Sequence, residues 1–152
     1  MGAAYFYHLT RRPLEDVLPT LLEKALGAGW RICVRGGNDA RLRQLDDALW
    51  TYRDDSFLPH GMAGGDTDAA QPVLLTTSPD LPADVVCLMS VDGAQVTADE
   101  VARLERVCVI FDGTDAAALD KARAQWRALT KAGISSQYWS EESGKWEKKA
   151  EA

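Results

Sequence analysis

The chain has 152 residues, of which 46% are hydrophobic and 26% charged, a composition typical of one folded globular domain. Its 17 Lys and Arg residues against 23 Asp and Glu residues leave a net charge of −6, which excludes the broad positive field of a protein that wraps duplex DNA. No run of about 20 apolar residues is present to span a membrane, and the first eight residues lack the pattern of a signal peptide. We therefore expect a protein of the bacterial cytoplasm.

Short apolar runs alternate with helical patterns along the chain. In chain order they predict a strand at Ala4–Leu9, a helix from Leu14 to Leu26, a strand at Arg31–Arg35, a helix at Ala40–Trp50, strands at Val73–Thr76 and Val85–Met89, a helix at about Ala98–Arg106, a strand at Val107–Phe111 and a helix at Ala116–Ala132. Residues 54–71 and 78–83 are predicted as loops, and a polar tail begins at about residue 135. This alternation favours one α/β domain over residues 1–152, with a mainly parallel sheet covered on both faces.

Few residues of the chain suit a metal or a cofactor. Cys33, Cys87 and Cys108 each lie in an apolar run without C-x-x-C spacing, which predicts buried free thiols in a reducing compartment. Two histidines, His8 and His60, cannot form a three-ligand zinc site alone. The glycine-rich phosphate loops G-x-G-x-x-G and G-x-x-x-x-G-K-[ST] are absent. We therefore predict no cofactor and no metal.

One short motif supports an enzymatic alternative. Phe111-Asp112-Gly113-Thr114-Asp115 is similar to the Asp-x-Asp-x-Thr nucleophile loop of haloacid-dehalogenase-type phosphatases, and Asp112 ends a buried strand, where doubly wound folds place ligand-binding groups. Thr114, however, occupies the place of the second acid that protonates the leaving group. The alternative reading is thus a small α/β phosphotransferase or nucleotide-binding domain that uses Asp112, against a turn in which Asp115 caps a helix.

A basic stripe follows one face of the last predicted helix. Arg123, Arg127 and Lys131 are spaced by four residues, Trp126 adjoins them, and Lys121 adds charge nearby. One interpretation is a solvated helix face with Trp126 turned to the core. The other is a cationic edge beside an aromatic pocket, which suits an acidic peptide with a hydrophobic end.

Large apolar residues also cluster where the second helix ends. Trp50, Tyr52, Phe57 and Leu58 lie at this helix end and in the loop that follows it. Some of them belong in a core, but a loop with this many large apolar side chains also suits a docking surface.

Three segments together carry a family pattern. The most specific is Arg41-x-x-x-Leu45-Asp46-x-x-Leu49-Trp50…Ser56-Phe57-x-Pro59-His60, supported by Ala4-x-Phe6-Tyr7-x-Leu9 and by Ala122-Arg123-x-x-Trp126-Arg127-x-x-x-x-Ala132-Gly133 before a Trp-containing tail. In this order they resemble the chi subunit of the bacterial DNA polymerase III clamp-loader complex over nearly the whole chain.

This resemblance implies a three-layer α/β/α, Rossmann-like domain without catalytic activity, an adaptor at the replisome. Such subunits bind the psi subunit of the clamp loader, a competing repair helicase, and the acidic C-terminal tail of single-stranded DNA-binding protein, which ends in Pro-Phe with a free carboxylate. The residues expected to bind the tail, from the resemblance and the basic stripe together, are Arg123, Trp126, Arg127, Lys131, Lys121 and Gly133. Those expected to bind psi or the helicase are Trp50, Phe57, Leu58 and Pro59. The family's basic residue one turn before Arg123 is Leu119 here, and Lys121 is the candidate replacement.

The net charge generates a prediction about DNA. Because the chain is acidic overall and its predicted basic surface is a single stripe, the isolated chain should not bind single-stranded DNA appreciably at physiological salt. In a gel-shift assay with micromolar protein, a shifted band should appear only after single-stranded DNA-binding protein is added. A shift with the chain alone would contradict the prediction.

Overall fold

The computed structural model describes residues 2–10, 12–51, 60–62, 72–78, 81–82, 84–141 and 146–152, without the side chains of residues 50 and 60–62. The elements in chain order are β1 (Ala3–Leu9), α1 (Leu14–Gly27), β2 (Ile32–Arg35), α2 (Asp39–Trp50), β3 (His60–Met62), β4 (Val73–Thr76), β5 (Cys87–Ser90), α3 (Ala98–Arg103), β6 (Arg106–Asp112), α4 (Ala116–Lys131), β7 (Ser135–Ser140) and β8 (Glu147–Glu151). The predicted α/β class is confirmed. No helix in these ranges has the length and apolar character to cross a membrane.

One sheet contains the described strands, in the order β3-β4-β2-β5-β6-β1-β7-β8. Every neighbouring pair is parallel except β7 and β8, which are antiparallel. Strand β1 lies inside the sheet and pairs with β6 on one side and with β7 on the other. The mainly parallel sheet predicted from the alternation of elements is therefore present.

Two hydrophobic cores fill the space on the two faces of the sheet. Successive side chains of a strand point to opposite faces, and in β6 Cys108 and Ile110 join one core while Val107 and Val109 join the other. Helices α1 and α2 contribute to the first core, and α3 and α4 to the second. The protein thus has the predicted three-layer α/β/α architecture.

The three cysteines are buried and free, as predicted. Burial raises the pKa of the Cys33 thiol to about 11. A hydrogen bond with Cys108, together with burial, raises the pKa of Cys87 well above its ordinary value. Cys33 and Cys87 are therefore protonated at neutral pH, and all three buried cysteines pack as small apolar core residues.

The last residues of the chain form two strands that the sequence does not predict. Residues from 135 onward, predicted as a polar tail, contribute strands β7 and β8. Serine and glutamine residues in β7 interrupt the apolar alternation that marks a strand, and β8, the strand at the edge of the sheet, consists mainly of charged residues. The short strand β3 lies within the predicted loop 54–71, most of which lies outside the described residues.

An ion pair with little solvent exposure ties strand β2 to helix α3. The Arg35 and Glu100 side chains are 6% and 13% exposed, and Nη2 of Arg35 donates to Oε2 of Glu100 over 2.6 Å. Arg35 also donates to the carbonyl oxygens of Ser78 (3.1 Å) and Gln95 (2.9 Å). Because this guanidinium is hydrogen-bonded to both neighbouring loops and to α3, removal of one partner leaves a poorly solvated charge.

We expect Arg35→Ala to lower the free energy of unfolding by about 3–5 kcal/mol, the cost of leaving one member of a buried ion pair unpaired. The matched control is Arg103→Ala, which removes an exposed arginine from the last turn of α3 and should change stability by less than about 0.5 kcal/mol. Denaturant unfolding at pH 7 measures both. Equal effects of the two substitutions would contradict the prediction.

The ion pair between Arg35 and Glu100 also makes the free energy of unfolding depend on pH. Burial raises the pKa of Glu100, but the hydrogen bonds and charge of Arg35 outweigh it and hold this pKa below its ordinary value. The stabilisation is therefore fully present above the pKa of the unfolded state and is lost as the pH falls through the lower folded value. Glu100→Gln should reduce the stability lost between pH 6 and pH 3, measured by denaturant unfolding at each pH.

Candidate functional site

Helix α4 has well-formed ends that fix its position on the sheet. The Asp115 side chain accepts hydrogen bonds from the backbone N–H groups of Ala117 (2.9 Å) and Ala118 (3.4 Å). At the other end Gly133 adopts φ +84°, and the Ile134 N–H donates to the Leu129 carbonyl over 3.0 Å. This left-handed turn is the usual site of glycine after a helix. Gly133 therefore ends α4 and turns the chain into β7.

Trp126 lies between helix α4 and the sheet. Its ring contacts the edge of Phe6 on β1 (5.3 Å between centroids) and of Tyr138 on β7 (6.0 Å). Ala122 and Leu129 on the same face are buried, whereas Trp126 is half-buried. Trp126 thus contributes to the core and also leaves part of its ring at the surface.

The predicted basic stripe stands beside this tryptophan and faces solvent. Arg123, Arg127 and Lys131 are exposed, and within the described part of the chain none of them forms an ion pair. Leu119, one turn before Arg123, is half-buried and packs against the core beneath α4. The result is a cationic edge along an apolar strip of a protein whose net charge is −6.

Lys121 lies on the other flank of α4. Residues two positions apart on a helix do not face each other, and Lys121 lines a hollow of about 390 Å³ together with residues 95–98, between α4 and the start of α3. The structure therefore brings Arg123, Trp126, Arg127 and Lys131 together and places Lys121 apart from them.

Two residues that the sequence does not single out lie beneath the stripe. The Tyr138 hydroxyl group is 2.6 Å from Nδ1 of His8, although 130 residues separate them in the chain. Burial raises the pKa of Tyr138, and the nearby positive charge of Arg123 opposes this shift. Only the pairing of β1 with β7 brings His8 and Tyr138 to one place, and no local sequence signal indicates it.

Residues 1–137 match the family described as DNA polymerase III chi subunit, HolC. The chain belongs to the chi subunit family. This match includes α4 and its basic stripe and ends just before Tyr138.

A shorter match links this chi-family chain to a characterised relative. The DNA polymerase III subunit chi of Pseudomonas aeruginosa is 36% identical over 55 residues, which are 36% of this chain and 37% of that protein. The chain therefore matches little more than a third of the length of that relative.

The chi-family chain also has a cleft beside two neighbouring strands that are followed by helices on opposite faces of the sheet. Strands β1 and β6 are adjacent, and α1 and α4 follow them into different cores, which is the usual place of a ligand crevice in such folds. The cleft encloses about 530 Å³ and includes Asp112, the residue of the enzymatic alternative.

Asp112 is engaged in the turn between β6 and α4. Its Oδ1 accepts hydrogen bonds from the hydroxyl group (2.6 Å) and the backbone N–H (2.9 Å) of Thr114, which hold the pKa of this carboxyl below its ordinary value. Within the described residues no group of three His, Cys, Asp or Glu side chains suits a metal ion. The geometry therefore favours a turn-stabilising role for Asp112.

The predicted psi-binding surface falls outside what the structure describes. Phe57, Leu58 and Pro59 lie in the undescribed range 52–59, and the side chain of Trp50 is also outside the description. Trp50 is the last residue of α2, as predicted, and only its backbone is described.

Proposed function

We propose that this chain is a non-catalytic adaptor of DNA replication, which joins the clamp loader to single-stranded DNA-binding protein. Its membership of the chi subunit family supports a place in DNA polymerase III. The observation that supports the adaptor role is the exposed stripe of Arg123, Arg127 and Lys131, which lies beside the half-buried Trp126 and forms no ion pair with any other described residue. On this proposal the chain works at the replisome, in the bacterial cytoplasm.

The chemistry of the stripe suits the C-terminal tail of single-stranded DNA-binding protein. Arginine can hold a carboxylate through two parallel hydrogen bonds, and Arg123 is the stripe residue whose positive charge acts on Tyr138, the ring that contacts Trp126. Arg127 and Lys131 supply a positive field for the aspartates of the tail. The exposed part of Trp126 offers an apolar wall for the terminal phenylalanine side chain.

The second half of the proposal is attachment to the psi subunit. Trp50, Phe57, Leu58 and Pro59 belong to the most specific segment of the family pattern, and large aromatic residues are common anchors at the centre of interfaces. We assign this surface to psi, and to a repair helicase that competes for it. The tail site on α4 and this loop lie on separate segments, so both partners can be tested independently.

We expect Arg123→Ala to weaken binding of a tail peptide by about 2–3 kcal/mol, the range for one half of a charge-assisted contact. Arg127→Ala and Lys131→Ala should cost about 0.5–1 kcal/mol each and lose this effect as salt rises, because exposed charges are screened. Fluorescence anisotropy with a labelled peptide matching the C-terminus of the organism's own single-stranded DNA-binding protein measures these changes.

Two controls sharpen this titration. Lys121→Ala removes the same charge from the other flank of α4, and it should leave affinity unchanged if the site lies beside Trp126. Amidation of the peptide terminus should weaken binding to the native protein but scarcely affect Arg123→Ala. If amidation weakens binding to both proteins equally, Arg123 does not bind the carboxylate.

We also expect Phe57→Ala and Trp50→Ala each to weaken binding of the psi subunit by more than about 1 kcal/mol, the usual size for a central anchor. Isothermal titration calorimetry with psi from the same organism measures this loss. Thermal unfolding is the control, since a docking residue should leave the melting temperature of the isolated chain unchanged. A variant that unfolds or aggregates identifies its residue as core and contradicts the docking assignment.

A further inference from the structure

The surface next to the basic stripe continues from α4 onto strand β7. Helix α4 packs on β6 and β7, and its flank with Lys121 faces α3, so the opposite flank with Arg123 faces the β7–β8 side of the sheet. On β8 the residue paired with Tyr138 is Ala150, which is exposed and carries only a methyl group. The Tyr138 ring is therefore bordered by α4 on one side and by the small Ala150 on the other. We call this strip of surface, between α4 and Ala150 with Tyr138 at its base, the groove.

Tyr138 is held firmly at the base of this groove. Its ring meets Trp126 edge-on at 6.0 Å and contacts Phe111 at 6.0 Å between centroids. Its hydroxyl group lies 2.6 Å from Nδ1 of His8, and the His8 ring is in turn packed so closely against Gly113 that a Cβ there would overlap it. The position of the hydroxyl group is thus determined by side chains from β1, β6 and α4.

From this geometry we propose that Tyr138, oriented by His8, is a further residue that binds the peptide tail, and that its hydroxyl group donates a hydrogen bond to a carboxylate held by Arg123. The inference rests on the proposed function, because it takes the acidic peptide with an apolar end as the occupant. Arg123 lies three residues before Trp126 on α4, and the Trp126 ring contacts Tyr138 at 6.0 Å between centroids, which places the guanidinium and the phenol on one surface. The positive charge of Arg123 also acts on the pKa of Tyr138. An arginine and a hydroxyl donor together offer a carboxylate more than one hydrogen bond.

The presence or absence of a hydrogen on Nδ1 of His8 determines whether the Tyr138 hydroxyl group can donate to a carboxylate. When Nδ1 lacks a hydrogen, the Tyr138 hydroxyl donates to it and presents only lone pairs to a carboxylate, which disfavours binding. When Nδ1 carries a hydrogen, the ring donates and the hydroxyl hydrogen is available for the peptide. A neutral imidazole carries one hydrogen, and where that hydrogen is on Nε2, the hydroxyl hydrogen becomes available to a carboxylate only when His8 takes up a proton at Nδ1. In that tautomer carboxylate binding is coupled to proton uptake by His8.

Charged and titratable groups on three described elements act on His8 or on its partner Tyr138. Asp112 at the end of β6 is close enough for the two side chains to influence each other electrostatically, and it favours the imidazolium form. Arg123 on α4 disfavours that form, and a bound carboxylate offsets the charge of Arg123. Tyr138 on β7 is the hydrogen-bond partner itself. Binding should therefore tighten as the pH falls through the range in which histidine titrates, by up to about tenfold per pH unit for one proton.

The test uses the full chain and two forms of the labelled tail peptide, one with a free terminal carboxylate and one amidated, both acetylated at the N-terminus. Tyr138→Phe keeps the ring and removes the hydroxyl group. We expect it to weaken binding of the acid peptide at pH 6 by about tenfold, the size of one hydrogen bond to a charged group, and to leave binding of the amidated peptide unchanged. Equal affinity of variant and native protein for the acid peptide, or an equal loss for both peptides, would overturn the proposal.

Titration between pH 5.5 and pH 8 tests the part played by His8. Affinity of the native protein for the acid peptide should rise as the pH falls, and His8→Phe and Tyr138→Phe should remove this dependence. His60→Gln, which replaces the other histidine of the chain, should retain it. A pH dependence that persists in Tyr138→Phe, or that disappears in His60→Gln, would overturn the coupling. Thermal unfolding of each variant reports whether packing alone has changed.

Arg123→Ala separates this proposal from the adaptor function. If the native protein binds neither peptide, the proposed function and this inference both fail. If the native protein binds and Arg123→Ala does not, while Tyr138→Phe binds like the native protein, the adaptor function stands and the inference about Tyr138 fails.

Discussion

Strand β1 forms backbone hydrogen bonds to β6 on one side and to β7 on the other, and its side chains alternate between the two cores. Phe6 supports Trp126 on the α4 face, His8 reaches Tyr138 on the same face, and Leu9 joins the core under α1. A shift of β1 by one residue would exchange these faces and remove the support of the groove beside α4. The position of β1 therefore determines both the three-layer fold and the surface that we assign to a partner.

Much of the fold could be predicted from periodicity. Strand β4 coincides with its predicted bounds, and α4 begins at the predicted Ala116, because a run of alternating or helically spaced apolar residues reports which face is buried. Strands β7 and β8 could not be predicted in this way. Strand β8 lies at the edge of the sheet, where charged side chains are favoured, and the serine and glutamine residues of the neighbouring β7 interrupt the apolar alternation.

Only the part of the candidate site that lies within one helix could be predicted from the sequence. The spacing of Arg123, Arg127 and Lys131 along one helix places them in one stripe, and the structure agrees. The spacing of Lys121 from Arg123 would already have placed it on another flank, so this separation needed only helix geometry. The contact between His8 and Tyr138 depends on how β1 and β7 pair across 130 residues, which no helical or strand period encodes.

Strand β8 has a consequence for how the chain can be handled. It covers the outer edge of β7 and is itself the last strand of the described sheet, with charges of both signs on Glu147, Lys148, Lys149 and Glu151. Such charges discourage another strand from adding to the sheet. Proteolytic removal of β8 would uncover the backbone of β7, with Tyr138 and Trp139 beside it, as a template for intermolecular pairing. A truncated chain would then be prone to self-association through the very strand that forms the floor of the groove.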